Sequence, residues 1–409
     1  MDWQPLLISL FNKYKYNRFI MTYAWYFCYM YFPDFVEIGA DELLLVAFFV
    51  SLLGIIIHYV VNVLPLGNLK ANSLEQSITK EPVSIIICAR NEDDNLTEFL
   101  PKILVQDYPE FEVVVVNDCS MDGTENVIDE FAKIFPNLKK VTIKEDDYYK
   151  HGKKYAVLIG IKGTKYNNLL FTDADCFPAN DQWLKDMSAG FVNKKEIVLG
   201  YGAYLKGIGF LNKLIRFDTF LIASNYLSAA IKGKAYMGVG RNLAYKKDLF
   251  YKEKGFAKHY HITSGDDDLF INQACTSENT NIVVSHNAIT YSLAKTNFSD
   301  WKRQKQRHLT TAPHYNSASK TKITLGYITQ YGFHLMFLSL FLFKTTMLVA
   351  LVGLIFKICI QMIIFKKAAK KLNEVDLWAL SFFYEIVLLI VYPIFHISKL
   401  FHKPNKWKS

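Results

Sequence analysis

Apolar and polar positions alternate in blocks through the middle of the chain. "VSIIICA" (83–89), "FEVVVVND" (111–118) and "NNLLFTDAD" (167–175) are short, continuous and rich in β-branched or bulky residues, as strands buried on both faces are. "KKVTIKE" (139–145) predicts a further strand. "RNEDDNLTEFLPKILVQ" (90–106), "SMDGTENVIDEFAKIF" (120–135) and "KKYAVLIGIKG" (153–163) carry helical spacing between them. Strands and helices in this order imply an α/β fold, a mostly parallel sheet with helices on both faces. In such sheets ligands bind outside the carboxyl ends of the strands.

The flanks follow a different pattern. "LLLVAFFVSLLGIIIHYVVNVL" (43–64) contains no Lys, Arg, Asp or Glu and is long enough to span a hydrocarbon core of about 30 Å. It is too long and starts too far into the chain for a signal peptide. A second apolar block, 324–364, can hold two short spans hinged near Lys344-Thr345-Thr346, and a third covers 377–397. No run between 66 and 322 is long and apolar enough to span. The expected organisation is an aromatic-rich interfacial segment (1–42), a transmembrane helix (43–65), a soluble domain (80–322), two or three membrane helices (324–398) and a basic tail (399–409). The stripe over 209–227 is helical and suits either a core helix or one lying on the membrane. Lys357 and Glu385 are costly in lipid and are expected to face protein and each other.

The net charge of +9 changes this picture in one respect. Lys366, Lys367, Lys370 and Lys371 follow one span, and Lys399, Lys403, Lys406 and Lys408 follow another. Such clusters mark the cytoplasmic side. Both cannot lie there if all three C-terminal spans cross, so one segment is interfacial or re-entrant, or the rule fails once. Lysines that flank apolar spans argue against a nucleic-acid partner and for membrane lipids. The six cysteines form no C-x-x-C pair and read as free thiols in a reducing compartment.

The candidate chemistry sits at the strand ends. The first strand ends in Ala89-Arg90-Asn91-Glu92, the second in Asn117-Asp118-Cys119-Ser120, the fourth in Thr172-Asp173-Ala174-Asp175. Three strands thus deliver carboxylates to one edge, which suits a nucleotide and a hard cation. Asp173 and Asp175 lie two apart, so in an extended chain both side chains point one way. They can share a Mg²⁺ or Mn²⁺ that keeps positions open for diphosphate oxygens.

"VSIIICARNED", "VVVVNDCSMDGT", "HGKKYAV" and "TDADCFPANDQWL", in this order and spacing, resemble the inverting family 2 glycosyltransferases, whose Rossmann-like nucleotide-diphospho-sugar fold is called GT-A. The resemblance covers about 83–310, and the flanking spans resemble the membrane-integral bacterial members, among them the cellulose, hyaluronan and poly-N-acetylglucosamine synthases. It implies that Ala89, Arg90, Glu92 and Asp118 hold the base and ribose, although Asn117 replaces the first acid of the usual pair. Lys153 would approach the diphosphate, Asp173 the nucleotide and Asp175 the metal. In "MGVGRNLAYKKDLF", Gly238 and Gly240 would let backbone approach the acceptor sugar. In "SGDDDLFINQA", Asp266 and Asp267 match the family's acidic pair. The resemblance makes Asp267 the general base and places Asp266 by the acceptor, with Asp268 read as a helix cap. "QKQRH" resembles the family's Q-x-x-R-W signature. Gln304 and His308 would meet the acceptor and Arg307 the diphosphate. His308 replaces the Trp that stacks on the acceptor in polymerising members, which favours non-processive transfer.

The resemblance therefore implies a membrane-bound inverting glycosyltransferase of the bacterial cytoplasmic membrane, its catalytic domain cytoplasmic. The donor would be a nucleotide sugar, expected as a UDP-sugar, although uracil and guanine both suit Asp118. The acceptor would be a lipid-linked sugar or glycan in cell-envelope or exopolysaccharide synthesis. A processive synthase is the alternative. A non-catalytic nucleotide-sugar-binding partner would be expected to have lost the base or metal pair, and both are present. A transporter would need more spans.

Overall fold

A computed structural model describes residues 40–70, 81–144, 152–340 and 343–401. The expected interfacial segment over 1–42 lies almost wholly outside these residues, as do Cys28, Lys403, Lys406 and Lys408. The helices are α1 (Ala40–Asn62), α2 (Leu64–Gly67), α3 (Asp93–Leu104), α4 (Thr124–Ile134), α5 (Lys153–Gly163), α6 (Trp183–Ser188), α7 (Phe210–Ile231), α8 (Lys247–Lys252), α9 (Asp268–Ala274), α10 (Phe298–His308), α11 (Ser317–Ser339), α12 (Met347–Lys371) and α13 (Ser381–Phe401). The strands are β1 (Val83–Ala89), β2 (Phe111–Asp118), β3 (Leu138–Ile143), β4 (Asn168–Asp173), β5 (Cys176–Pro178), β6 (Ile197–Leu199), β7 (Gly202–Tyr204), β8 (Leu243–Lys246), β9 (Thr280–Ile282) and β10 (Thr290–Ser292).

The main sheet has the order β3-β2-β1-β4-β8-β6-β9. The four sequence-legible strands pair in parallel, with Cys88 opposite Asp173 and Ala89 opposite Asn117, so their carboxyl ends align at one edge. β8 runs antiparallel to both β4 and β6, which makes the sheet mixed. A small second sheet, β5-β10-β7, closes over that edge.

Alternation along each strand separates two cores. Ile85, Ile87, Val113 and Val115 pack with Leu96 and Leu100 of α3 and with Trp183 and Met187 of α6. Ile86, Val114 and Val116 face α5, and this core continues without a break into α7, α1, α12 and α13. The close approach of α5 needs Gly160, where a Cβ would lie 2.9 Å from Ile86.

Among the described residues, three helices are long and apolar enough to cross a membrane, over 42–62, 347–371 and 381–399. The expected hinge falls between α11 and α12, where the Thr346 hydroxyl donates to the Leu340 carbonyl. α11 packs along α1, Gly326 against His58 and Gly54 against Thr329, but is not apolar enough to count as a span itself. α7 takes neither expected role alone. It is largely buried, and it bridges the small sheet and the membrane helices.

Lys357 and Glu385 do meet. The Lys357 ammonium lies 2.5 Å from the Glu385 carboxylate and also donates to Gln361, while the Tyr59 hydroxyl donates to the same carboxylate at 2.7 Å. Burying such a pair is tolerable only with its remaining hydrogen bonds made, as they are here.

Candidate active site

The turn before α9 builds the acidic side of the site. Gly265 has φ of 94°, a left-handed conformation that lets the chain turn into α9. The Asp267 carboxylate caps that helix by accepting from the Asp268 amide at 2.7 Å, and its other oxygen accepts from the Gly240 amide at 2.7 Å. The cap is therefore Asp267, not Asp268 as the sequence suggested. Asp268 turns inward and accepts from the hydroxyls of Thr311 and, at 2.7 Å, Tyr315.

Lys153, at the first turn of α5, crosses the site. Its ammonium lies 2.7 Å from Asp173 and 3.3 Å from Asp266. The tip of β4 and the N-terminus of α9 are thereby held across one cation. Burial and the charges of Asp266 and Asp268 raise the Asp267 carboxyl to about 7. Although Asp267 keeps part of its surface open to a cavity, it sits deep in the protein, so burial is the leading cause. Asp173 moves the other way: the Lys153 ammonium holds it below the usual carboxylate range despite its burial.

The cavity holds about 400 Å³ and is lined by Lys153, Asp173, Asp175, Gly238, Gly240, Asp266, Asp267, Gln304, Arg307 and His308. Ten of the predicted site residues thus converge. The other four, Ala89, Arg90, Glu92 and Asp118, lie beyond its lining at the ends of β1 and β2. Asp118 and Asp173 are two strands apart, roughly 10 Å by strand spacing. Arg90 approaches the buried Asp118 at 3.8 Å, and Glu92 accepts from Asn95 at 2.6 Å beside the start of α3.

Two expectations change in detail. Gly240 faces the site, because a Cβ there would lie 3.3 Å from Asp267 and 3.6 Å from Lys153. At Gly238 a Cβ would meet Leu243 at 3.0 Å and Ile271 at 3.2 Å, so this cavity-lining glycine also packs closely against the core. On α10, Gln304 donates to the Tyr204 hydroxyl at 3.0 Å, while His308 keeps an exposed surface where the family signature has Trp.

Sequence reasoning passed over Arg241. Its guanidinium stacks 4.3 Å from the Tyr204 ring, donates to Ser292 at 2.8 Å, and brings positive charge to Asp173 and Asp175. The signal was available: Arg241 directly follows Gly240 in the quoted "MGVGRN" stretch. Lys305 also lines the cavity and pairs with the buried Asp218, which in turn accepts from the Tyr392 hydroxyl at 2.6 Å.

Asp173, Asp175 and Cys176 offer ligand atoms within 4.8 Å of one another. Two carboxylates that share a side suit a hard divalent cation with oxygen ligands. Burial pushes the Cys176 thiol well up. The donor set fits Mg²⁺ or Mn²⁺ better than a soft metal.

Residues 84–253 match the model of the glycosyl transferase family 2. Glycosyltransferase AglE of Haloferax volcanii is 35% identical over 105 residues, 25% of this chain and 33% of that protein. The poly(ribitol-phosphate) beta-N-acetylglucosaminyltransferase TarS of Staphylococcus aureus is 28% identical over 215 residues, 51% of this chain and 35% of that one. The chain thus matches about a third of the length of these relatives. Among solved structures, the mannosyltransferase PcManGT from Pyrobaculum calidifontis, in complex with GDP-Man and Mn²⁺, superposes with a TM-score of 0.52 at 15% identity, covering 86% of this chain and 97% of that one. That likeness concerns the fold. Residues 84–253 are thus similar to a family 2 glycosyltransferase domain, and the fold is similar to that of PcManGT.

Proposed function

We propose that the protein is a membrane-bound inverting glycosyltransferase that moves a sugar from a nucleotide-diphosphate donor, a UDP-sugar, to a lipid-linked or glycan acceptor in cell-envelope or exopolysaccharide synthesis. Domain 80–322 performs the chemistry and the helices of 43–65 and 324–398 hold it to the cytoplasmic membrane. One observation carries this reading: the Asp267 carboxylate lines the cavity one residue from Asp266, which Lys153 joins to Asp173 at the end of β4.

The roles follow from position. Asp118 and Arg90 lie where a base and ribose would rest at the ends of β1 and β2. Lys153, Arg241 and Arg307 bring positive charge to where a diphosphate would lie. Asp173 and Asp175 would hold Mg²⁺ or Mn²⁺, which, when bound, neutralises charge on the leaving diphosphate. Asp267 takes the proton of the acceptor hydroxyl as that oxygen bonds to the anomeric carbon. The bond from that carbon to the diphosphate oxygen breaks at the same centre, the nucleoside diphosphate leaves with the electron pair, and configuration inverts. His308 leaves the acceptor without an indole to stack on, which favours transfer of one or a few sugars.

A screen of radiolabelled nucleotide sugars against native membranes tests the whole reading. We expect label from one donor to enter the lipid extract or a short glycan, with equimolar nucleoside diphosphate release. Label in a long polymer would contradict the non-processive reading. No transfer and no hydrolysis with any donor would contradict the function.

A further inference from the structure

The cavity does not end at the acids. It continues between α7, α11 and α13, where Leu221, Ile222, Ile323, Tyr327, Leu388 and Leu389 line it, and it reaches His58 and Asn62 near the end of α1. A polar end holding the candidate base is therefore continuous with a branch lined by these apolar residues, one wall of which, α13, is apolar enough to cross a membrane. A soluble acceptor has no use for that branch.

A cationic group stands where the two parts meet. Lys322 of α11 lines the cavity, with its ammonium 4.6 Å from the Tyr236 ring and 3.4 Å from the Asn225 carbonyl. Lys232 and Lys234 are the charges that bear on it. Lys232 donates to the Val61 carbonyl at the end of α1 and, like Lys234, is exposed. Among the described residues none of the three lies within 4.0 Å of a carboxylate. Three lysines clustered without an acid repel one another unless an anion joins them.

The spacing to the base is also informative. Tyr236 lies 6.2 Å from the Tyr315 ring, centroid to centroid, and the Tyr315 hydroxyl reaches Asp268, the neighbour of Asp267. Two aromatic rings thus separate Lys322 from the acidic turn. Both tyrosines line the cavity between Lys322 and the acidic turn.

Resting on the function proposed above, we infer that the acceptor is a sugar carried on a lipid phosphate. Its phosphate pairs with Lys322, its sugar lies along Tyr236 and Tyr315 toward Asp267, and its chain leaves through the apolar branch between α7, α11 and α13. Lys232 and Lys234 draw the head group to the opening.

Binding to the full-length protein in detergent micelles tests this without any turnover. The probes are a radiolabelled monosaccharide on a short isoprenyl diphosphate and the same sugar on an uncharged alkyl chain. We expect the phosphate-bearing lipid to bind at least about tenfold more tightly, the loss of one charge-assisted hydrogen bond in the neutral probe being of that order. Lys322→Gln should remove the difference and Lys322→Arg should retain it. Equal binding of the two lipids, or a difference that survives in Lys322→Gln, would overturn the inference. So would inorganic pyrophosphate that competes as well as the lipid, because the site would then serve free phosphate. Failure of the functional reading is separate: it appears as absence of donor hydrolysis, which this measurement does not use.

Discussion

As the proposed base, Asp267 carries the most demanding role at the scale of single residues. A carboxyl raised to about 7 is protonated in acid and cannot accept a proton there. The sign of the pH dependence follows: kcat/KM should rise by about tenfold per pH unit below the midpoint and level off above it. The measurement is a profile with saturating acceptor, and a midpoint near 4 would show that burial does not control this group. Arg241 gives a second expectation at this scale. Its planar guanidinium stacks on Tyr204 while donating to Ser292, an arrangement lysine does not reproduce. Arg241→Lys should raise the donor KM roughly tenfold, with the fold intact by circular dichroism. Asp173 and Asp175 were legible because D-x-D at a strand end is a local pattern. Arg241 was harder to see, since its partners come from β7 and β10, strands of three residues too short to leave a periodic signal.

Among elements, the segment between α12 and α13 is clamped to α7. Arg216 is fully buried and donates to Glu374 and, at 2.7 Å, to Asp376, while the Tyr201 hydroxyl donates to Glu374 at 3.0 Å. Tyr201 also lines the cavity, so the clamp ties the membrane helices to the site's floor. Arg216→Ala would leave Glu374 buried without its cation. It should destabilise the protein by about 3–5 kcal/mol, read from denaturant unfolding in detergent, because an unpaired buried charge costs more than the pair contributes. Arg216 also depresses Asp376 to about 2, below its unfolded value near 3.8. The stability linked to Asp376 is thus present above about pH 4 and is lost as pH falls toward 2. Unfolding midpoints that do not change over that range would contradict the clamp. The main strands and the long helices were readable from period and composition. Neither Arg216 with Glu374 nor Lys305 with Asp218 could be paired from sequence, because their separations along the chain exceed any local pattern.

For the whole molecule, the two basic clusters pose a question of sidedness. The end of α12 meets the catalytic domain, with His286 3.2 Å from the Lys370 carbonyl, and Lys367 donates to Asn68 just after α2. The end of α13 meets it as well: Gln306 donates to Ser398 at 2.7 Å and Lys399 to the Leu309 carbonyl at 3.1 Å. The first turn of α13 also touches the domain, with Phe383 5.9 Å from Phe210 and Tyr384 5.3 Å from Phe217. α13 therefore touches the catalytic domain at both ends, and the basic ends of α12 and α13 both lie beside that domain. Cysteines introduced at Lys370 and Lys399, in a background without Cys359, should react with an impermeant thiol reagent from the side that exposes the catalytic domain. Labelling from opposite sides would show that α13 crosses. Hydrophobic length marks α13 as a candidate span. Its contacts with α7 and α10 are long-range and left no local signal in the sequence.

These scales meet in one claim: acids from the ends of β2, β4 and the start of α9 form a single transfer site with Asp267 as its base. Nucleoside diphosphate release by Asp267→Asn, measured alongside donor binding in the same preparation, tests it most directly. The account predicts that release falls by about 10²–10⁴-fold while donor affinity stays within a few-fold of the parent. Release at the parent rate would contradict it.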